Sequence, residues 1–182
     1  EILRSNANRL KRLLQQILDF RKVESRKMEI SVSKSNLSSF VSGIVASNFQ
    51  SLAHQKSISL STRIDDGIWG YMDIDKFDKI LFNLLSNAIK FTRQGEIRLQ
   101  AEYRNKELHF SVQDTGTGMT EEETTRIFTA FERLDNARNV PGFGLGLAIA
   151  SRLVSGMQGS LTVKSKPGEG STFTAFLPLL EA

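Results

Sequence analysis

Three groups of residues in this chain have the types and spacing needed to hold a nucleotide. Asp114-Thr115-Gly116-Thr117-Gly118-Met119 sets a carboxylate before two glycines. Gly142-Phe143-Gly144-Leu145-Gly146-Leu147 sets three alternate glycines at the start of an apolar run. Asn83, Asn87 and Lys90 stand at i, i+4 and i+7, so all three share one face of a helix. An ionised carboxylate accepts a hydrogen bond from an exocyclic amine such as that of adenine. Glycines let the backbone approach a ligand closely, and the bare N–H groups of a following helix favour an anion. An amide oxygen is a neutral, hard ligand suited to Mg²⁺, and a lysine pairs with phosphate as a point charge.

Each group has a plainer alternative when taken alone. Asn83 and Asn87 could be polar residues at the rim of a core, although asparagine is a poor helix former and two of them one turn apart need a reason. Asp-x-Gly-x-Gly also describes an ordinary turn from strand to helix. The three alternate glycines are costly for a turn alone, because glycine loses the most entropy on ordering. They do not form the G-x-G-x-x-G dinucleotide fingerprint, no strand immediately precedes them, and no Gly-Lys-Ser/Thr is present for a P-loop.

The elements that must position these groups follow from periodicity. Residues 1 to about 26 read as one long helix without Gly or Pro. Leu3, Leu10 and Ile17 repeat every seven residues, each followed four later by Ala7, Leu14 and Arg21; Leu13, Leu18 and Phe20 widen the stripe. This heptad pattern calls for a partner helix, or for packing on the chain's own domain. Residues 27–35 read as a connection with a strand in which Ile30 and Val32 alternate with polar residues. Asn36 caps a helix running to about Lys56. Ile58 and Leu60 mark a strand, and Ile68 to Met72 another. Asp73 opens a helix to about Phe91 with Phe77, Ile80, Leu81, Leu84 and Ala88 buried. Glu96–Tyr103 and Glu107–Gln113 form a hairpin. Thr120 starts a short acidic helix, and residues 129–141 lack periodicity. Leu145–Met157 is an apolar helix. Ser160–Ser165 and Thr172–Leu177 pair around Pro167-Gly168-Glu169-Gly170. Residues 28–182 are thus expected to form an α/β layer, a mostly antiparallel sheet with helices on one face.

Composition narrows the chemistry. The chain has 182 residues, 40% hydrophobic and 24% charged, enough for one domain with a helical extension. It has no Cys, which excludes disulfides and thiolate metal sites, and its two histidines, His54 and His109, lie far apart in the sequence. Lysines and arginines are scattered, so the net charge of +4 reads as a solvated surface and not as a nucleic-acid interface. No apolar run approaches the ~20 residues of a membrane span.

Taken in order, these residues resemble the ATP-binding catalytic domain of sensor histidine kinases, in the gyrase, chaperone, kinase and mismatch-repair (GHKL) ATPase superfamily. Asn83 through Phe91 looks like that family's asparagine box. Asp114 to Gly118 matches its first glycine box. Phe128, Phe131 and Arg133 match its phenylalanine box, Gly142 to Leu147 its second glycine box, and Gly168 to Thr172 the last. Leu18-Asp19-Phe20-Arg21-Lys22-Val23-Glu24 resembles part of the second helix of the dimerisation and phosphoacceptor hairpin. Residues 133–140 look most like hybrid sensor kinases of Bacteroidetes-type bacteria.

The resemblance implies an α+β fold, a two-layer α/β sandwich of the Bergerat type, preceded by a coiled-coil-like helix. Residues 1–27 would be the second hairpin helix in part, and 28–182 the catalytic domain. ATP and Mg²⁺ are the implied cofactors. Asn87 would ligate the metal, while Asn83 and Lys90 face the phosphates. Asp114 would read the adenine amine, with Phe91 and Met119 along the base. Gly116 and Gly118 would shape that turn, Phe131 and Arg133 would begin the lid, and Gly142, Gly144, Gly146 and Leu147 would hinge it. Thr172 would complete the adenine pocket through a water. The implied partners are the phosphoacceptor helix of the parent kinase, a homodimer, and a response-regulator receiver domain, with neither nucleic acid nor direct membrane contact. The implied place is the cytoplasmic part of a bacterial membrane-bound sensor.

Two departures qualify this expectation. Neither His54 nor His109 has the context of a phosphoacceptor, so the chain is expected to bind ATP without phosphorylating itself. Phe143 stands where the pattern has Thr or Ser, which either restricts the lid and weakens phosphate contacts or packs against Phe128 or Phe131. Two other readings stay open. One is an ATP hydrolase of the same superfamily, against which Asn83 speaks because an amide cannot act as a general base at neutral pH. The other is a degenerate nucleotide-sensing or dimerisation module.

Overall fold

A computed structural model describes residues 2–24, 28–134 and 142–181. Most of the stretch from 133 to 140 that carries the hybrid-kinase likeness lies outside them. Helix α1 (Ile2–Glu24) is followed by β1 (Ser33–Asn36) and a long helical run. That run is α2 (Leu37–Ile44), a π-helical turn over Val45–Phe49, and α3 (Gln50–Gln55). Asn36 caps it, its side chain accepting from the Ser39 N–H at 2.9 Å. Strands β2 (Ile58–Ile64) and β3 (Trp69–Met72) lead to α4 (Ile74–Phe91). The hairpin β4 (Gly95–Arg104) and β5 (Glu107–Asp114) turns on Asn105 and Lys106, both at positive φ. After it come α5 (Glu121–Arg126), α6 (Gly146–Gly156), β6 (Ser160–Lys166), β7 (Gly170–Pro178) and β8 (Leu180–Glu181).

The main sheet has the order β2-β4-β5-β7-β6, antiparallel except for the β2–β4 pair. Strands β1, β3 and β8 form a second, smaller sheet. The mostly antiparallel sheet with helices packed on one face agrees with the sequence expectation. One strand is displaced. Ile30 and Val32 are exposed and precede β1, because the pairing that defines it runs from Ser33 to Asn36 against Met72 to Trp69. Their alternation has no buried face behind it.

The core explains how the sheet aims its functional ends. On β5, Leu108, Phe110 and Val112 point inward and are fully buried. On β7, Phe173, Ala175 and Leu177 also point inward and are buried. Against them pack Phe77, Ile80, Leu81, Leu84 and Leu85 of α4 and Ala148, Ile149 and Leu153 of α6. Burial of this apolar surface is the main driving term for the fold. Asp73 anchors the start of α4. Its carboxylate, 2% exposed, accepts from the N–H groups of Ser31 (2.8 Å) and Lys76 (3.1 Å) and from the Lys76 ammonium (2.5 Å). Helix α1 lies along α6. Phe20 is buried there, edge-on to Phe131 at 6.1 Å, with the Arg152 guanidinium 4.5 Å above its ring. Leu10, Leu14 and Leu18 on its outer side are more than half exposed.

Candidate functional site

Asp114 is the next inward position after Leu108, Phe110 and Val112, since side chains on one face of a strand recur every second residue. The period that buries three apolar residues therefore carries a carboxylate to the end of the core, where it is 6% exposed. Its Oδ1 accepts from the Gly116 N–H at 2.8 Å, and the Ser171 N–H also donates to it. Burial raises its pKa above the usual carboxylate range, and these two backbone donors only partly offset that.

A cavity of about 140 Å³ opens beside Asp114. Asn87, Lys90 and Phe91 of α4 line it, as do Gly118, Met119, Arg133, Gly142, Gly144, Gly146 and Leu147. Four stretches far apart in sequence thus meet around one space. Lys90 points toward Gly142: a Cβ built there would lie 3.9 Å from its Nζ. Desolvation of its ammonium against the cavity wall lowers its pKa even though the residue as a whole remains open to solvent. Helix α6 begins at Gly146 with no side chain capping its first N–H groups, so its positive end is free to meet an anion. Gly118, at φ +62, packs against the Lys166 carbonyl with no room for a side chain. The turn after Asp114 is therefore held to the β6–β7 hairpin by a contact that only glycine allows.

Four of the expected residues lie differently. Asn83 does not line the cavity; its Nδ2 donates to the Lys79 carbonyl at 2.8 Å, and its Oδ1 faces the start of α6, 2.8 Å from where a Cβ on Gly146 would be. Gly116 supports Asp114 from behind. Phe131 is 59% exposed and turned toward Phe20. Thr172 is on the other face of β7, because Ser171 and Phe173 occupy the inward positions on either side of it. Ser171 lines the cavity instead; its hydroxyl lies 2.9 Å from that of Ser165, which accepts from the Met119 N–H at 2.8 Å. The strand alternation on β7 was the signal that could have found it. Phe143 lines the cavity, and Phe128 packs on Phe173 with ring centroids 6.4 Å apart. Gln16 of α1 and Glu132 also line it. No sequence pattern marked these two. Among the described residues, no group of three or more His, Asp or Glu side chains could hold a metal, and no helix is long and apolar enough to cross a membrane.

Residues 72–181 match the family described as histidine kinase-, DNA gyrase B-, and HSP90-like ATPase. The sensor histidine kinase RcsC of Escherichia coli strain K12 is 35% identical over 184 residues, covering 99% of this chain and 19% of that protein. The sensor protein GacS of Pseudomonas syringae pv. syringae is 35% identical over 189 residues, covering 99% and 21%. The chain thus spans about a fifth of the length of these relatives. The crystal structure of full-length ShkA in complex with AMPPNP superposes with a TM-score of 0.91 at 31% identity, over all of this chain and 38% of that one. The nucleotide-free catalytic domain of the histidine kinase ThkA shares the fold, with a TM-score of 0.73 at 22% identity over 83% of this chain and 97% of that one. The chain belongs to the histidine kinase-, DNA gyrase B- and HSP90-like ATPase family, as a catalytic domain of the sensor histidine kinase type.

Proposed function

We propose that the cavity binds ATP with Mg²⁺ and that the domain directs the γ-phosphoryl group to a histidine on a partner helix, from which it passes to an aspartate of a receiver domain. The observation that carries this reading is the convergence of Asp114, Lys90 and the uncapped start of α6 on one space. The Asp114 carboxylate accepts from the adenine amine. Lys90 and the α6 N-terminus neutralise phosphate charge. Asn87 supplies a single amide oxygen with no acidic cluster beside it, which suits a cation held mainly by phosphate oxygens and water. Mg²⁺, held there through Asn87, would supply neutralisation of phosphate charge during transfer, alongside Lys90 and the α6 N-terminus. On this reading residues 1–27 are part of the second helix of a dimerisation hairpin, residues 28–182 form the catalytic domain, and the parent is a membrane-bound sensor with its kinase part in the cytoplasm. The exposed Leu10, Leu14 and Leu18 support a helical partner for α1.

Calorimetric titration with ATP, with and without Mg²⁺, tests the reading. Saturable binding strengthened by Mg²⁺, with that strengthening lost in Asn87→Ala and the fold retained, is the expected result. An Asn87→Ala chain with the Mg²⁺ effect intact removes Asn87 as the metal ligand. Absence of ATP binding by the parent chain rejects the nucleotide site. Rapid phosphate release by the chain alone would favour a hydrolase, although Asn83 lies outside the cavity and has no base to offer there.

A further inference from the structure

Gln16 belongs to α1, outside the residues that match the ATPase family, yet its side chain lines the nucleotide cavity. Its Oε1 is buried and has no hydrogen-bond partner. Buried polar atoms are nearly always satisfied, so an orphaned amide oxygen at the wall of a binding cavity points to a donor on the ligand. Its neighbour Gln15 has an ordinary surface role, donating to Asp19 at 3.3 Å.

The position of Gln16 is set by contacts it does not itself make. Phe20 lies one turn further along the same face of α1. Its buried ring is clamped between Phe131 and the guanidinium of Arg152. Ion pairs from Lys79 to Asp19 (3.4 Å) and from Arg152 to Glu24 (3.8 Å) tie the same end of α1 to α4 and α6. Gln16 therefore reaches the cavity from a helix held against Phe131, α4 and α6.

We propose that Gln16 is a nucleotide-binding residue supplied by α1. Its amide oxygen accepts a hydrogen bond from a hydroxyl group on the bound nucleotide side of the cavity, either a ribose hydroxyl or a water held by the triphosphate. Nucleotide binding and docking of α1 then stabilise one another, because coupling between two binding events is reciprocal. The inference rests on the ATP reading of the cavity.

The test compares the chain with Gln16→Met, which keeps the length of the side chain and its packing but removes the strong acceptor. Mg²⁺-ATP and adenosine are titrated into both by calorimetry, and both are melted without ligand. Affinity for ATP should fall roughly fivefold, the range expected for one net hydrogen bond, while the melting temperature holds or rises because the orphaned oxygen is gone. A parallel loss for adenosine assigns the ribose; a loss for ATP alone assigns the water on the triphosphate. ATP should also slow amide exchange over residues 13–20 in the parent chain and do so less in Gln16→Met. Equal ATP affinities in two folded proteins overturn the proposal, as does a lower melting temperature with unchanged affinity, which marks a purely structural role. A parent chain that binds no ATP rejects the cavity reading itself, and the inference with it.

Discussion

The backbone N–H of Phe131 donates to the carbonyl of Gly144 at 2.9 Å, joining the two ends of the segment between them. Both residues have left-handed backbone, φ +64 and +72. Glycine adopts this freely, whereas for a bulky aromatic it is strained. Phe131 is held in it by that hydrogen bond and by its ring contact with Phe20. Phe131 is thus tied to α1 as well as to the start of α6.

Gly144→Ala should break this junction. A Cβ there would lie 2.6 Å from the Glu132 carbonyl oxygen and 2.9 Å from the Phe131 carbonyl carbon, both backbone atoms. Left-handed strain of about 1–2 kcal/mol adds to the collision, so thermal denaturation should show a loss of about 3 kcal/mol together with weaker ATP binding. Gly168→Ala is the control. It has φ +78 but nothing within 4 Å, so only the strain of about 1–2 kcal/mol applies, with ATP affinity unchanged. Equal losses in the two variants would contradict the role assigned to the junction.

Asp114→Asn should separate stability from binding. Burial raises the pKa of Asp114, and the N–H groups of Gly116 and Ser171 work against that rise. The folded state therefore holds the proton more tightly than the unfolded state. Between 3.8 and the raised value, stability falls as pH rises. The asparagine variant should lack that slope and melt no lower than the parent at pH 7. Its ATP affinity should drop by about 2 kcal/mol, the worth of a hydrogen bond to a charged acceptor. Retained affinity at pH 7 would remove Asp114 from the adenine contact.

ATP affinity should depend on alkaline pH through Lys90. Desolvation at the cavity lowers its pKa from 10.5, so its ammonium is lost earlier on the alkaline side than that of a free lysine. ATP affinity should fall as pH rises through the lowered value, because the phosphates lose a cationic partner. In Lys90→Met the affinity at pH 7 should be lower by roughly tenfold or more, and this part of the pH profile should be flat. An unchanged profile in the variant would assign the pH dependence elsewhere.

Asp73 sets acid stability. Burial alone would raise its pKa, but the hydrogen bonds from the Lys76 side chain, Ser31 and Lys76 N–H, with the Lys76 charge, outweigh it and the net shift is downward. A lowered folded pKa means that the stabilisation is complete at neutral pH and is lost as pH falls through that lowered value. Asp73→Ala removes both a helix cap and the partner of a half-buried ammonium, and should cost about 2–3 kcal/mol at pH 7. Its deficit relative to the parent should shrink in acid, as followed by denaturant melts across the acid range.

The sequence by itself determined most of the elements and many of the residue types that meet at the cavity. Periodicity located α4, α6 and the β4–β5 and β6–β7 hairpins, because amphipathic burial writes a local pattern. Asp114, Asn87, Lys90 and the alternate glycines were legible as candidates, and the structure lines one cavity with them, because the chemistry that singled them out depends on residue type and short-range spacing. Only the tertiary structure decided which neighbours share the cavity. Strand alternation turns Ser171 inward and Thr172 outward, a choice fixed by pairing with β5. The packing of α4 on α6 keeps Asn83 out of the cavity and Asn87 in it. Gln16 belongs to a helix whose pattern records only that it has an apolar face. Its place at the cavity follows from Phe20, Asp19 and Glu24 gripping residues 60 to 132 positions away in the chain, contacts that leave no periodic trace along the sequence.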